Sequence, residues 1–253
     1  MNQDPTRRFS VRVDAYERYR PSYPAAVAAL AERECGLRAG QAVADIGCGT
    51  GLLARLFLER GCHVFGVEPN PEMRDAGRRA LAESAQFQAI DGRAESTTLA
   101  TSSVDFVTAG QAAHWFDADP ARAEFARILK PEGWCVLIWN ERRTATTPFL
   151  RDYEQLLLTY GTDYKEVRHE RTTATIHEFF APSLYQERVF SLCQRFDYEG
   201  AAGRLLSSSY APLEGHPSHA PMMRGLQRIF RAHAVDGTVE FEYDTRVFCG
   251  KLE

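Results

Sequence analysis

The segment that most constrains this chain is an apolar run that leads directly into closely spaced glycines. Residues 42–46 read AVADI, which predicts a buried strand, and residues 47–51 read GCGTG. Leu52, Leu53 and Leu56 then fall on one face of a helix. Glycines let the backbone turn sharply here, and they let a ligand approach the main-chain N–H groups at the helix start. The segment therefore predicts a ligand-binding turn at the edge of a sheet.

Short apolar runs alternate with helical patterns through the rest of the first half. Strands are predicted at residues 63–67, 87–90, 104–109 and 134–139, and helices at residues 71–81 and 121–129. This alternation is typical of βαβ units that build a parallel sheet. The 253 residues, of which 44% are hydrophobic, are enough to bury such a sheet within one large domain.

The second half departs from this pattern. Apolar residues keep helical spacing over residues 148–160, outside the alternation, so we interpret residues 141–188 as an inserted helical cap. A strand is predicted at residues 189–196, and another amphipathic helix has Pro221 in its first turn. Apolar and polar residues alternate over residues 239–247, which predicts a final antiparallel strand with one exposed face.

A carboxylate and the glycine spacing indicate the ligand. Glu68 ends the second strand, where an acid can accept both hydroxyls of a ribose. A dinucleotide-binding turn has glycines at its first, third and sixth positions. Here Gly47, Gly49 and Gly51 occupy the first, third and fifth positions. Asp45, two residues before the turn, suits a cationic ligand better than an anionic pyrophosphate. The pattern therefore favours a nucleoside that carries a positive charge.

The pattern D-x-G-x-G-x-G from Asp45 to Gly51 resembles the first motif of the class I S-adenosylmethionine-dependent methyltransferases. The resemblance continues at Glu68, which matches the ribose-binding acid. It extends to residues 92–95 (GRAE), which match the adenine-binding segment, and to residues 129–134 (LKPEGW), which match the turn before the fifth strand. This family implies a Rossmann-like α/β fold, a seven-stranded and mostly parallel sheet with an antiparallel last strand, and S-adenosylmethionine as the cofactor.

Two further segments narrow the resemblance. Residues 16–24 (YERYRPSYP) and residues 111–116 (QAAHWF) are similar to segments of small-molecule methyltransferases in the trans-aconitate methyltransferase-like group. This similarity implies a small-molecule acceptor. The residues that the patterns and the resemblance place at the cofactor are Tyr16, Arg20, Asp45, Gly47, Gly49, Gly51, Glu68, Pro69, Ala94, Glu95 and Gln111.

The resemblance also implies how the chain is divided into segments. We expect a single methyltransferase domain over residues 1–253, with an N-terminal lid and first helix in residues 1–40 and the cofactor-binding half in residues 41–140. The helical cap occupies residues 141–188, and residues 189–253 supply the C-terminal strands and the helices on the substrate side.

The N-terminal aromatic residues allow two interpretations. In the first, Tyr16, Tyr19 and Tyr23 form a lid over the sulfonium, with a cation–π attraction of roughly 0.5–2 kcal/mol each. Arg20 then binds the methionine carboxylate of the cofactor as a bidentate pair. In the second interpretation, the arm only packs against the domain.

His114 follows the fourth predicted strand, at the edge of the sheet where ligands bind. We predict that it is the catalytic base for an acceptor with an exchangeable proton, the alternative being a structural or adenine-proximal histidine. The predicted substrate pocket consists of Tyr19, Trp115, Trp139 and Tyr210. Trp139 also fits a core position. His216 and His219 have no clustered carboxylates beside them, so we predict no metal site.

Other classes of protein fit the composition less well. The net charge of −4 gives no reason to expect nucleic acid as a partner, and residues 110–113 (GQAA) differ from the N/D-P-P-Y/F segment of adenine-amino methyltransferases. The longest apolar run has seven residues, whereas a membrane span needs about 20. Six scattered cysteines and a polar start without a signal-like apolar stretch predict a cytoplasmic protein. The oligomeric state stays open.

We therefore predict an S-adenosylmethionine-dependent methyltransferase that acts on a small molecule, with O-methylation of a carboxylate or hydroxyl favoured. The protein contributes mainly by placing the acceptor in line with the sulfonium methyl group. Two alternatives stay open. One is an NAD-dependent oxidoreductase, and the other is a non-catalytic S-adenosylmethionine-binding protein whose acceptor pocket is blocked.

Overall fold

A computed structural model describes residues 13–164 and 172–252, and within them seven strands form one sheet in the order β3-β2-β1-β4-β5-β7-β6. The strands are β1 (Ala42–Ile46), β2 (His63–Val67), β3 (Phe87–Ile90), β4 (Val104–Gly110), β5 (Leu129–Arg142), β6 (Tyr185–Phe196) and β7 (Val239–Gly250). Strands β1 to β5 pair in parallel, while β7 runs antiparallel to both β5 and β6. The predicted mostly parallel sheet with an antiparallel last strand is confirmed.

Helices cover the sheet and extend beyond it. In the described residues they are α1 (Val13–Tyr19), α2 (Ala25–Glu34), α3 (Leu52–Leu58), α4 (Pro71–Ala80), α5 (Ala118–Ile128), α6 (Pro148–Tyr160), α7 (Thr172–Phe180), α8 (Tyr198–Leu206) and α9 (His219–His233). Local signals start several of them. The side chain of Asn70 accepts a hydrogen bond from the Met73 N–H at the start of α4, and Thr147 does the same for Leu150 at the start of α6.

Successive side chains of the central strand β1 point to opposite faces of the sheet, and both faces are covered. Val43 packs in one apolar cluster with Leu30 of α2 and Phe57 of α3. Its neighbour Ala44 belongs to a second cluster, which includes Phe125 of α5. A parallel sheet with both faces covered is the arrangement that its continuous apolar strands require.

A third apolar cluster lies beyond the sheet core. It is formed by α6, α8 and α9 with the start of β7, through Tyr153, Leu205, Leu226 and Phe241. Helix α7 instead packs its Phe179 into the second cluster, against α5. The helical cap predicted for residues 141–188 is therefore divided between two layers, and its residues 165–171 lie outside the described part, as do residues 1–12 of the predicted lid.

A buried ion pair joins β5 to α6. Arg142 Nη2 lies 2.5 Å from Glu154 Oε2, and both side chains are less than a tenth exposed. The Tyr164 hydroxyl donates a hydrogen bond to the same carboxylate oxygen at 2.7 Å, and the Arg142 guanidinium lies over the Tyr153 ring at 4.9 Å. Each charge is thus compensated inside the protein, as a buried ion requires.

Among residues 13–164 and 172–252, no helix is both long and apolar enough to cross a bilayer. Within the same ranges, no three His, Cys, Asp or Glu side chains are grouped so that they could hold a metal ion. All six cysteines are free thiols.

The buried pair generates a prediction about stability. Glu154→Ala should lower the free energy of unfolding by about 3–5 kcal/mol, because it leaves the Arg142 guanidinium buried without its partner. Urea denaturation monitored by circular dichroism measures the change. Glu240→Ala is the matched control, since the Arg195–Glu240 pair is exposed and should have a much smaller effect on the free energy of unfolding. Equal effects of the two substitutions would show that Arg142 does not depend on Glu154.

Candidate active site

The predicted glycine turn connects β1 to α3 at the carboxyl edge of the sheet. Gly47 has a φ of 67°, and a Cβ atom there would lie 2.7 Å from the Cβ of Ala112, so the close approach needs glycine. Gly51 has a φ of 83° and is the N-cap of α3, where a Cβ would meet the Leu81 side chain. Both positions therefore require glycine, because each has a left-handed backbone and a close neighbour where a Cβ atom would lie.

Glu68 follows β2 and faces this turn. Its Oε2 accepts a hydrogen bond from the Gly49 N–H at 2.9 Å, and its Oε1 accepts one from the Asn70 N–H, also at 2.9 Å. Burial raises the pKa of Glu68 above its ordinary value, although the two backbone donors and Arg74 oppose that shift. The carboxylate thus ties the glycine turn to the loop that begins α4.

Asp45 lies in β1, just behind the turn, with 1% of its surface exposed. Its Oδ1 accepts a hydrogen bond from the Thr108 hydroxyl at 3.1 Å. Burial raises the pKa of Asp45 to about 7, against the smaller opposing effect of hydrogen bonds. The side chain lines a small cavity that it shares with Tyr16, Arg20 and Gly47.

A cavity of about 520 Å³ opens beside the turn. The predicted site residues that line it are Tyr16, Arg20, Gly47, Gly49, Glu68, Pro69, Ala94, Glu95, Gln111, His114, Trp115 and Tyr210. The fold thus brings together residues from the N-terminal arm, the glycine turn, and the loops after β2, β3 and β4. Gly51, Tyr19 and Trp139 were also predicted at the site, but they do not line this cavity.

Packing accounts for the positions of Tyr19 and Trp139. The Tyr19 ring lies against Gly203 of α8, where a Cβ atom would overlap it, and its centroid is 6.3 Å from that of Phe196. Trp139 is 1% exposed within the second apolar cluster, and its ring centroid is 6.1 Å from that of His114. The structure therefore corrects the expected pocket: Tyr19 packs on a helix, and Trp139 lies in the core behind His114.

His114 belongs to a short 3-10 turn, Ala113–Trp115, directly after β4. Its imidazole is exposed, and the ring centroid lies 4.5 Å from that of Trp115. Gln111 holds the preceding residues to the end of β5, since its side-chain amide donates to the Asn140 carbonyl at 3.1 Å and accepts from the Asn140 N–H at 3.2 Å. His114 is thereby presented to the cavity by an anchored loop.

The sequence predicts only one of the residues that form one side of the cavity. We call it the arginine wall, formed by Arg142, Arg204, Tyr210 and Tyr243, of which only Tyr210 was predicted. These residues come from β5, α8, the loop after α8, and β7, and no local motif joins them. One signal was present: the sequence GAAGRLL places a charged residue within an apolar helical stretch, beside the buried Leu205.

The buried Asp45 predicts a pH dependence of stability. Its pKa in the folded protein, about 7, exceeds the ordinary value of 3.8, so between these values only the folded state holds the proton. The free energy of unfolding should therefore fall, relative to Asp45→Asn, by roughly 4 kcal/mol as the pH rises from about 4 to about 7. Urea denaturation of both proteins across that range measures it, and parallel profiles would contradict the raised pKa.

Part of the chain is similar to a known family of proteins. Residues 44–137 match the family described as "Methyltransferase domain". An uncharacterized methyltransferase of Mycobacterium bovis is 45% identical over 137 residues, which are 53% of this chain and 52% of the relative. An uncharacterized methyltransferase of Schizosaccharomyces pombe is 31% identical over 155 residues, which are 60% of this chain and 59% of that protein. The chain thus spans about half the length of the curated relatives it matches.

Solved structures share the fold at low sequence identity. A candidate type II methyltransferase from Anaeromyxobacter dehalogenans has a TM-score of 0.68 at 21% identity, over 92% of this chain and 98% of that one. An S-adenosylmethionine-dependent methyltransferase from Geobacter sulfurreducens, in complex with S-adenosyl-L-homocysteine, has a TM-score of 0.55 at 15% identity, over 100% of both chains. Residues 44–137 therefore match a methyltransferase domain, and the chain shares its fold with solved methyltransferases, one of them S-adenosylmethionine-dependent.

Proposed function

We propose that this protein transfers the methyl group of S-adenosylmethionine to a small-molecule acceptor, at a carboxylate or hydroxyl oxygen. The observation that carries the proposal is the continuous cavity of about 520 Å³, which runs from the glycine turn to the arginine wall. A cavity of this size is within the range that small ligands occupy. Its extent beyond the turn leaves room for an acceptor, which disfavours a protein that only binds the cofactor.

The residues present fit the proposed cofactor. Glu68 keeps lone pairs beyond those used by its two backbone donors, so it is able to accept ribose hydroxyls. Arg20 lines the cavity, and its buried Nε has no hydrogen-bond partner among the described residues, which suits the methionine carboxylate. The acid at Asp45 suits a cation and disfavours the pyrophosphate of NAD. Bound S-adenosylmethionine supplies an electrophilic methyl group on its sulfonium.

His114 is the proposed base for an acceptor that loses a proton as it is methylated. It is exposed on an anchored loop that lines the cavity, beside Trp115. A neutral imidazole is a side chain that commonly accepts a proton in catalysis. A carboxylate acceptor has no proton to lose, and the protein would then act by placing its oxygen in line with the methyl group.

We also propose where the protein is located and which class of acceptor it uses. A cytoplasmic location is supported by six free thiols, of which five are buried. A small acceptor, and not a nucleic acid, is supported by the size of the cavity and by the net charge of −4. The similarity of residues 16–24 and 111–116 to the trans-aconitate methyltransferase-like group supports an oxygen acceptor.

Incubation with S-adenosylmethionine and a panel of small acids and phenols, with S-adenosylhomocysteine as the readout, tests the activity.

Cofactor binding should depend on Glu68. Glu68→Ala should weaken S-adenosylmethionine binding by about 2–4 kcal/mol, because hydrogen bonds to a charged group are worth about 1.5–3 kcal/mol each and share one carboxylate here. Isothermal titration calorimetry measures the affinity. The matched control is Glu59→Ala, an exposed acid at the end of α3 that should leave it unchanged. Unchanged affinity in Glu68→Ala would refute the ribose assignment.

Turnover should depend on His114. His114→Ala should lower the turnover rate roughly 100-fold, with cofactor affinity nearly unchanged, because the acceptor proton loses its base. Initial rates of S-adenosylhomocysteine formation give kcat and KM separately. A change confined to KM would indicate an acceptor without a proton to lose, and loss of S-adenosylmethionine binding would place His114 at the cofactor.

A further inference from the structure

The arginines at the acceptor side differ in how their charges are compensated. Arg142 is paired with the buried carboxylate of Glu154. Arg246, on β7, also lines the cavity and contacts two carboxylates, Glu141 at 3.0 Å and Glu187 at 2.7 Å. Both of these guanidinium charges are therefore balanced within the protein.

Arg204 lines the same cavity without such compensation. It is 5% exposed, and its Nε donates to the Tyr243 hydroxyl at 2.9 Å while its Nη1 donates to the Ser208 hydroxyl at 3.0 Å. Across residues 13–164 and 172–252, no carboxylate forms an ion pair with it. Burial lowers the pKa of Arg204, but the neighbouring Tyr243, Tyr210 and Tyr153 outweigh that effect and raise it, so the guanidinium stays charged without a carboxylate partner.

A second uncompensated arginine lies near the first. Burial lowers the pKa of Arg20, and the nearby charge of Arg204 lowers it further. The same arginines act on Tyr210. Burial raises the pKa of Tyr210, but the charges of Arg204, Arg142 and Arg20 outweigh that effect and lower it. These three guanidinium groups therefore favour a negative charge at the position of the Tyr210 hydroxyl. If Arg20 binds the methionine carboxylate, that anion balances one of the two charges and leaves Arg204.

We propose that Arg204 binds an anionic group, a carboxylate or a phosphate, on the methyl acceptor. The inference rests on the proposed function, because it places the acceptor beside the cofactor. The guanidinium is preorganised by Tyr243 and Ser208, so little side-chain entropy is lost on binding. Arg204 is then the residue that selects charged acceptors over neutral ones, since a neutral analogue would leave the buried charge uncompensated.

Direct binding tests this proposal. The protein is first saturated with S-adenosylhomocysteine and then titrated by calorimetry with succinate, its neutral diamide succinamide, and inorganic phosphate. Succinate or phosphate should bind and succinamide should not, and whichever anion binds more tightly distinguishes a carboxylate from a phosphate acceptor. Arg204→Gln should weaken anion binding roughly tenfold or more, the range expected for a hydrogen bond to a charged group.

The matched control is Arg246→Gln, which removes a cavity arginine that is already paired and should change anion affinity less than about threefold. Circular dichroism and S-adenosylhomocysteine affinity confirm that each variant is folded. Three results would overturn the proposal: binding of neither anion to the S-adenosylhomocysteine complex, equal binding by Arg204→Gln, or equal binding of succinamide and succinate. Failure of S-adenosylhomocysteine itself to bind would instead overturn the proposed function.

Discussion

The buried carboxylate of Glu68 is the interaction on which the cofactor side of the structure depends. It accepts one backbone N–H from Gly49 and another from Asn70, so it joins the glycine turn after β1 to the loop that begins α4. Without this acceptor, two buried backbone donors would lose their partners, and each such loss is costly. The group proposed to bind ribose therefore also shapes the turn, and ligand affinity and loop geometry are coupled through one side chain.

Charge is distributed unevenly around the cavity. Asp45 and Glu68 lie at the glycine turn, whereas Arg20 and Arg204 line the cavity without forming an ion pair to a carboxylate of the described residues. A cationic methyl donor and an anionic acceptor would each meet complementary charge. If the attacking oxygen belongs to a carboxylate, its negative charge and the positive charge of the sulfonium cancel as the methyl group is transferred. Such a site has little new charge to stabilise in the transition state and acts mainly through placement.

Features encoded within one segment could be predicted from the sequence, and features assembled from several segments could not. The glycine turn, Glu68 and the strands β1 to β4 follow from local patterns, because the backbone conformation and the apolar period are properties of each segment. The position of Trp139 at the end of a strand predicts the pocket, but the residue is buried in the second apolar cluster, which is assembled from several segments and also includes Phe179 of α7. Arg204 lies on a helix that the sequence pattern did not indicate, and its partner Tyr243 is on another element.

The position of β7 between β5 and β6 has a consequence for how the chain assembles during synthesis. Among the strands of the described residues, β6 pairs only with β7, so residues 185–196 have no neighbouring strand until residues 239–250 have been synthesised. The five parallel strands at residues 42–142 can associate earlier. Helix α8 lies in sequence between β6 and β7, and it packs against β6. The strands that carry the glycine turn are therefore synthesised first, and the arginine wall, which needs α8 and β7, is completed last.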